Sequence, residues 1–253
     1  MSENESKTTR KRRIELGQHH LLDNRIISEI IQASKIKKED VVLELGTGNG
    51  HITRQLSNYA KWVYSYEIDY EFYKTAKKNC SGRTNVKIYN LDLLEFELQH
   101  FDVFVSNIPY SRSKEIIKWL CLNKFRNAVI MVQDEFATKL FSHPGEKKFS
   151  AISLIAQYFF KMESLMEVPP HAFFPTPRVK SRIIRITPRN KIIKAESIAK
   201  VEQMFSNSRR KLKDYYSEAG QTGQTVGKKK IRKTGLDAIM EFIVNPEIFG
   251  RSR

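Results

Sequence analysis

"VVLELGTGNGHIT", residues 41–53, sets an apolar run directly against three glycines and then a helix-compatible stretch. Five residues of Val, Leu and one Glu, closed by a turn signal, read as a short buried strand. Gly46, Gly48 and Gly50 follow, and "HITRQLSNYA" reads as the helix they open onto. Glycines at such a junction let the backbone turn sharply and come close to a ligand. Their spacing is GxGxG, not the GxGxxG of dinucleotide binders, and no phosphate-binding lysine follows, which disfavours a Walker-type site. On these residues alone, a ligand-cradling turn and an ordinary strand-to-helix turn are both open.

The same alternation extends in both directions. Upstream, Ile26, Ile27, Ile30 and Ile31 recur at helical spacing. Downstream, the strands "KWVYSYEID", "NVKIYNLD", "FDVFVSN" and "NAVIMVQ" are interleaved with the helices "EFYKTAKKNC" and "SKEIIKWLCL". "DEFATKLFS" and "SAISLIAQYFF" read as helices, and "ESLMEVPPHAFFPTPRVKSRIIRIT" as two late strands around a proline-rich loop. This order predicts an α/β fold, a mostly parallel sheet covered by helices, with an antiparallel hairpin at one edge. After about residue 190 the chain becomes basic and helical. The expected organisation is a flexible basic arm over 1–13, a main domain over 14–190, and a small basic helical region over 191–253.

The chain has 253 residues and a net charge of +16, from 44 Lys and Arg against 28 Asp and Glu. That excess favours a polyanionic partner: RNA, DNA or an anionic membrane surface. Cys80 and Cys121 give neither a disulfide framework nor a metal-ligand spacing. They read as small thiols in a reducing compartment. His19, His20 and His171 fit no zinc pattern, so no metal is expected. No apolar run reaches the length of a membrane span and no signal-peptide core is present, which predicts a soluble cytoplasmic protein without membrane association.

Two acids bear on the glycine turn. Glu67 ends the second strand, 21 positions after Gly46, where doubly wound folds place the acid that takes a ribose diol. Asp92 closes the third strand, within reach of an adenine amino group. Ligands of such folds sit at the carboxyl ends of parallel strands, so glycines and acids converge on one crevice. Acids around a nucleoside pocket suit S-adenosylmethionine, whose sulfonium is a cation, and point to methyl transfer. The fourth strand runs out at Asn107-Ile108-Pro109-Tyr110, an amide, a fixed φ and a flat ring in succession.

At these residues the chain resembles the rRNA adenine N6,N6-dimethyltransferases. The likeness runs in order through "LGQHHL", "VVLELGTGNGHIT", "YEID", "NIPY", "MVQDEFATKL", "PGEKKFSAISLIAQY", "VPPHAFFPTPRVKS" and "FSNSRRKLK". It implies a Rossmann-like S-adenosylmethionine-dependent methyltransferase fold with a small C-terminal helical region. It also implies that His19, Leu21, Gly46, Gly48, Glu67, Asp92 and Asn107 hold the cofactor. Asn107, Ile108, Pro109 and Tyr110 match the catalytic tetrapeptide, and Phe173 an aromatic residue that helps hold the target base. Phe174 is the phenylalanine assigned to core packing.

The target base has to leave its stack to enter such a pocket. Phosphate contacts are expected from Arg10, Lys11, Arg12 and Arg13 in the arm, from Arg209, Arg210, Lys211 and Lys213, from Lys228, Lys229 and Lys230, and from Arg112 near base entry. Two branches of the family compete. One dimethylates two adjacent adenosines near the 3′ end of small-subunit rRNA during ribosome biogenesis; the other modifies large-subunit rRNA and confers macrolide-type resistance. The long matches around "MVQDEFA" and "VPPHAFFPTPRV" favour the first, with the small ribosomal subunit precursor as partner and a monomer as the working form. "SRSKE", residues 111–115, departs from both branches. A third reading is an RNA-binding assembly factor on the same fold.

Overall fold

The computed structural model describes residues 19–96, 100–189, 191 and 195–206. In chain order the elements are β1 (His20–Leu21), α1 (Asn24–Ser34), β2 (Val41–Leu45), α2 (His51–Leu56), β3 (Trp62–Tyr66), α3 (Tyr70–Asn79), β4 (Val86–Tyr89) and β5 (Val103–Asn107). There follow α4 (Ser113–Leu122), β6 (Asn127–Gln133), α5 (Asp134–Phe141), α6 (Ala151–Phe159), β7 (Phe160–Val168), β8 (Phe173–Phe174), β9 (Ser181–Pro188) and α7 (Ala195–Ser206). Short 3-10 turns cover Leu93–Glu95, Tyr110–Arg112 and Pro170–Ala172.

Seven strands form one sheet in the order β4-β3-β2-β5-β6-β9-β7. The pairs among β4, β3, β2, β5 and β6 are parallel, and β9 runs antiparallel to β6. The chain moves one way from β2 to β3 and β4, and the other way to β5 and β6. The switch point therefore lies between the carboxyl ends of β2 and β5, where open α/β sheets bind ligands. The mixed α/β architecture expected from the sequence is the one observed.

The residues fall into two compact units. The first holds the described residues of 19–116, 124–134 and 162–188. Its core joins Ile26, Ile27, Ile30 and Ile31 of α1 and Ile52 and Leu56 of α2 to Val42, Val63, Val103, Val105 and Val129 of the sheet. The helical period of α1 puts all four isoleucines on that face. Its first turn is closed by Asp23, which accepts the Arg25 N–H at 2.9 Å. Asp69 caps α3 in the same way, accepting from Glu71 and Phe72.

The second unit holds 117–123, 135–161 and the described residues from 189 onward. Ile152, Leu154, Ile155 and Phe159 of α6 are buried. The Ser150 hydroxyl and the Ser153 side chain close a reciprocal cap at the start of α6. Within this unit Phe149 meets Phe205 edge-to-face at 5.7 Å, and Lys118 pairs with Glu202 at 3.2 Å.

Candidate active site

Gly46 and Gly48 adopt φ of +82° and +53°, left-handed values that side chains rarely take. The Gly46 N–H donates to the Tyr66 carbonyl at 2.9 Å, turning the chain across the end of β3. A Cβ on Gly48 would stand 2.9 Å from Nδ1 of His20, so a side chain there would have to displace that ring. The turn forms one wall of a cavity of about 200 Å³. Glu67, Asp92 and residues 107–112 complete much of its lining, with His19 and His20 from the N-terminal side.

Glu67 is 7 % exposed, and its carboxylate is held by two backbone donors. Gly48 N–H reaches Oε2 and Asp69 N–H reaches Oε1, each at 2.9 Å. One acceptor direction on each oxygen is left by this arrangement. Burial raises the Glu67 pKa, opposed by those same N–H groups. Behind it lies an acid that the sequence reading passed over as part of "VVLEL". Glu44 is fully enclosed, and Oε2 accepts from Thr53 at 2.5 Å and Ser65 at 2.6 Å. Burial pushes its pKa up to about 7. A carboxylate inside an otherwise apolar strand was the available signal.

Asp92 caps the 3-10 turn, its Oδ1 accepting the Leu94 N–H at 3.1 Å. Its Oδ2 lies 2.6 Å from Nη1 of Arg112, whose Nε reaches Glu115 at 2.9 Å. Arg112 was expected to face RNA phosphate. In the structure it stands in the cavity wall, where two carboxylates flank its 3-10 turn and hold a planar, always charged donor.

Asn107 ends β5, and its Nδ2 donates to the His19 carbonyl at 2.8 Å. That bond fixes the amide and leaves Oδ1 as the acceptor. The Ile108 N–H donates to the Met131 carbonyl at 3.0 Å, which anchors the start of the tetrapeptide to β6. The Tyr110 hydroxyl meets that of Ser181 at 2.7 Å, and its ring lies 5.7 Å from that of His19. His19 Nδ1 is 2.6 Å from the Pro175 carbonyl, so this nitrogen carries the proton and donates. The tetrapeptide, the N-terminal segment and the proline-rich loop are thus tied at one residue.

Two expected site residues go elsewhere. Phe173 is 2 % exposed and packs in the core with Leu21, Val168 and Ala172, whereas Phe174 is half-buried. Core packing, expected of Phe174, therefore falls to Phe173. The cause is the antiparallel pairing of β1 with β8, Leu21 opposite Phe173 and His20 opposite Phe174. Facing residues share a side, so Leu21 and Phe173 enter the core together. The Leu21 side chain therefore does not line the cavity; its neighbour His20 does. Arg10, Lys11, Arg12, Arg13, Arg209, Arg210, Lys211, Lys213, Lys228, Lys229 and Lys230 lie outside the described residues. Among the described residues no group of His, Cys, Asp and Glu is placed to hold a metal ion, and no helix is long and apolar enough to cross a membrane.

Residues 9–234 match the family model described as "Ribosomal RNA adenine dimethylase". The chain belongs to that family. Its relatives include a probable ribosomal RNA small subunit methyltransferase A of Methanosarcina mazei, 34 % identical over 78 % of this chain and 74 % of the relative. A protein of the same description from Pyrococcus abyssi is 35 % identical over 77 % of this chain and 72 % of the relative. Among solved structures, a dimethyladenosine transferase from Plasmodium falciparum superposes with a TM-score of 0.76 at 26 % identity, covering 88 % of this chain and 95 % of that one. The 23S rRNA methyltransferase ErmE gives 0.63 at 26 % identity, covering 88 % and 98 %. The chain is a methyltransferase of the Rossmann-like class.

Proposed function

We propose that this protein uses S-adenosylmethionine to dimethylate N6 of adenosines in small-subunit ribosomal RNA, two adjacent ones near the 3′ end. The observation that carries the reading is the Asn107 amide, pinned through Nδ2 to the His19 carbonyl so that Oδ1 is an acceptor on the wall of a cavity that also holds Glu67. Glu67 fits a ribose diol, since each of its oxygens is already oriented by a backbone N–H. Asp92 fits the adenine amino group, and the side-chain-free Gly48 fits close passage of the ligand. Bound there, the cofactor supplies an electrophilic methyl group on a sulfonium.

The amine of adenine is a poor nucleophile because its lone pair is delocalised into the ring. Asn107 Oδ1 and the Ile108 carbonyl accept hydrogen bonds from its two N–H groups, which favours a more tetrahedral nitrogen with its lone pair free. Pro109 fixes the backbone of that carbonyl, and Tyr110, held by Ser181, offers a ring to the base. Positioning and electrostatics supply the catalysis, without a strong base. The descriptions of the archaeal relatives support the small subunit as substrate.

The test is transfer of radiolabelled methyl to unmethylated small-subunit particles, with large-subunit RNA alongside. Label recovered as N6,N6-dimethyladenosine in small-subunit RNA is the expected result. Label confined to large-subunit RNA moves the protein to the resistance branch, and cofactor binding without label in either RNA makes it an assembly factor.

A further inference from the structure

A second feature of the first unit lies outside the cavity. His51, Arg54 and Gln55 on the exposed side of α2 and Asn58 in the turn after it line, with Asn24, Ile27 and Arg83, a separate surface groove. No carboxylate is among the residues lining it. This contrasts with Arg25, Arg112, Arg126, Arg182 and Arg185, each paired with an acid. Arg83 is held by a neutral partner, its Nη1 donating to Asn58 Oδ1 at 2.6 Å. Burial and then the Glu44 carboxyl raise the Cys80 thiol to about 11, and the charges of Arg54 and Arg83 both oppose that rise.

Two cations lining one groove with no carboxylate among its residues leave positive charge uncompensated, and an oxyanion bound there relieves it. Guanidiniums offer paired planar donors suited to a phosphodiester, and His51, Gln55 and Asn24 add neutral or titratable donors around it. Its lining of two arginines, three amides and His51 beside one aliphatic residue, Ile27, holds no Phe, Tyr or Trp ring on which a base could stack, so it suits the backbone rather than the bases.

We propose that this groove is a docking site for the RNA phosphate backbone, separate from the methyl-transfer cavity, with Arg54 and Arg83 as its phosphate contacts. The proposal rests on the RNA-substrate reading above. Its role is to fix the register of the RNA on the protein while the target adenosine enters the cavity.

The experiment measures binding of a labelled, unmethylated transcript of the small-subunit rRNA 3′ region by full-length protein across a salt series. The variants are Arg54→Gln/Arg83→Gln, Arg54→Lys/Arg83→Lys, and Arg25→Gln as an exposed-arginine control, each checked for wild-type S-adenosylmethionine affinity. At about 0.7–0.9 per neutralised phosphate, the double glutamine variant should show a log–log salt slope shallower by about 1.4–1.8. Its affinity at low salt should fall at least about tenfold. The lysine variant should keep most of the slope, and Arg25→Gln all of it. An unchanged slope in the glutamine variant, with wild-type RNA binding intact, makes the groove a solvated face and overturns the proposal. Wild-type protein that neither binds nor methylates the transcript overturns the substrate reading, and the groove with it.

Discussion

Asn107 shows how little side-chain chemistry the reaction asks for and how firmly that chemistry is aimed. Its NH2 is committed to the His19 carbonyl at 2.8 Å, which fixes the amide and leaves Oδ1 as the acceptor of a residue that lines the cavity. Asn107→Ala should lower the methylation rate at least about 100-fold, the scale of losing one preorganised polar group, while cofactor affinity measured by calorimetry changes only about a few-fold. Asn107→Asp should fare no better, since it sets an anionic oxygen against the His19 carbonyl. Glu67 is the complementary case. Glu67→Gln turns one acceptor into a donor facing the N–H of Gly48 or Asp69, and cofactor affinity should fall about 10- to 100-fold in the same titration. Asn107 and Glu67 were both legible in the sequence because each closes a strand beside a turn signal. The committed direction of the Asn107 amide was not, because its partner is 88 residues away.

At the level of elements, the pairing of β1 with β8 decides which phenylalanine is structural. Both strands have two residues, too short for any periodicity to show, and the alternation of faces is set only once they meet. Phe173→Ala should cost about 3–5 kcal/mol of stability by emptying a filled core position, read from chemical denaturation. Phe174→Ala, half-buried on the side shared with His20, should cost much less. The glycine turn is the opposite situation, a local device visible from spacing alone. Gly48→Ala places a methyl 2.9 Å from His20 Nδ1 at a φ of +53°, so both the clash and the left-handed backbone work against it. Stability should drop by about 1–3 kcal/mol, with cofactor affinity falling in parallel.

For the molecule as a whole, the buried Glu44 links stability to pH. Its pKa rises from the ordinary 4.5 to about 7 on folding, chiefly through burial. Between those two values the unfolded chain has lost a proton that the folded chain retains. Stability from this group is complete below about 4.5 and declines as pH rises through about 7. The decline should amount to about 3 kcal/mol at most, and Glu44→Gln should flatten it in denaturation curves taken across that window. A profile unchanged by the substitution would show Glu44 ionised in the fold at all of these pH values. The net charge of +16 acts at the same scale, drawing the whole protein to RNA before any single contact forms.

By itself the sequence determined the α/β alternation, the parallel core of the sheet, and the convergence of Gly46, Glu67, Asp92 and Asn107 on one crevice. These follow from local signals, since each residue sits at the end of its own strand and strand ends gather at the switch point. Tertiary structure alone decided that Arg112 pairs with Asp92, that Phe173 is core, and that Arg54 and Arg83 share a groove without an acid. Each of those outcomes depends on a partner distant in sequence. Charge pairing and burial are settled by who stands within a few ångströms after folding, and spacing along the chain carries no record of that.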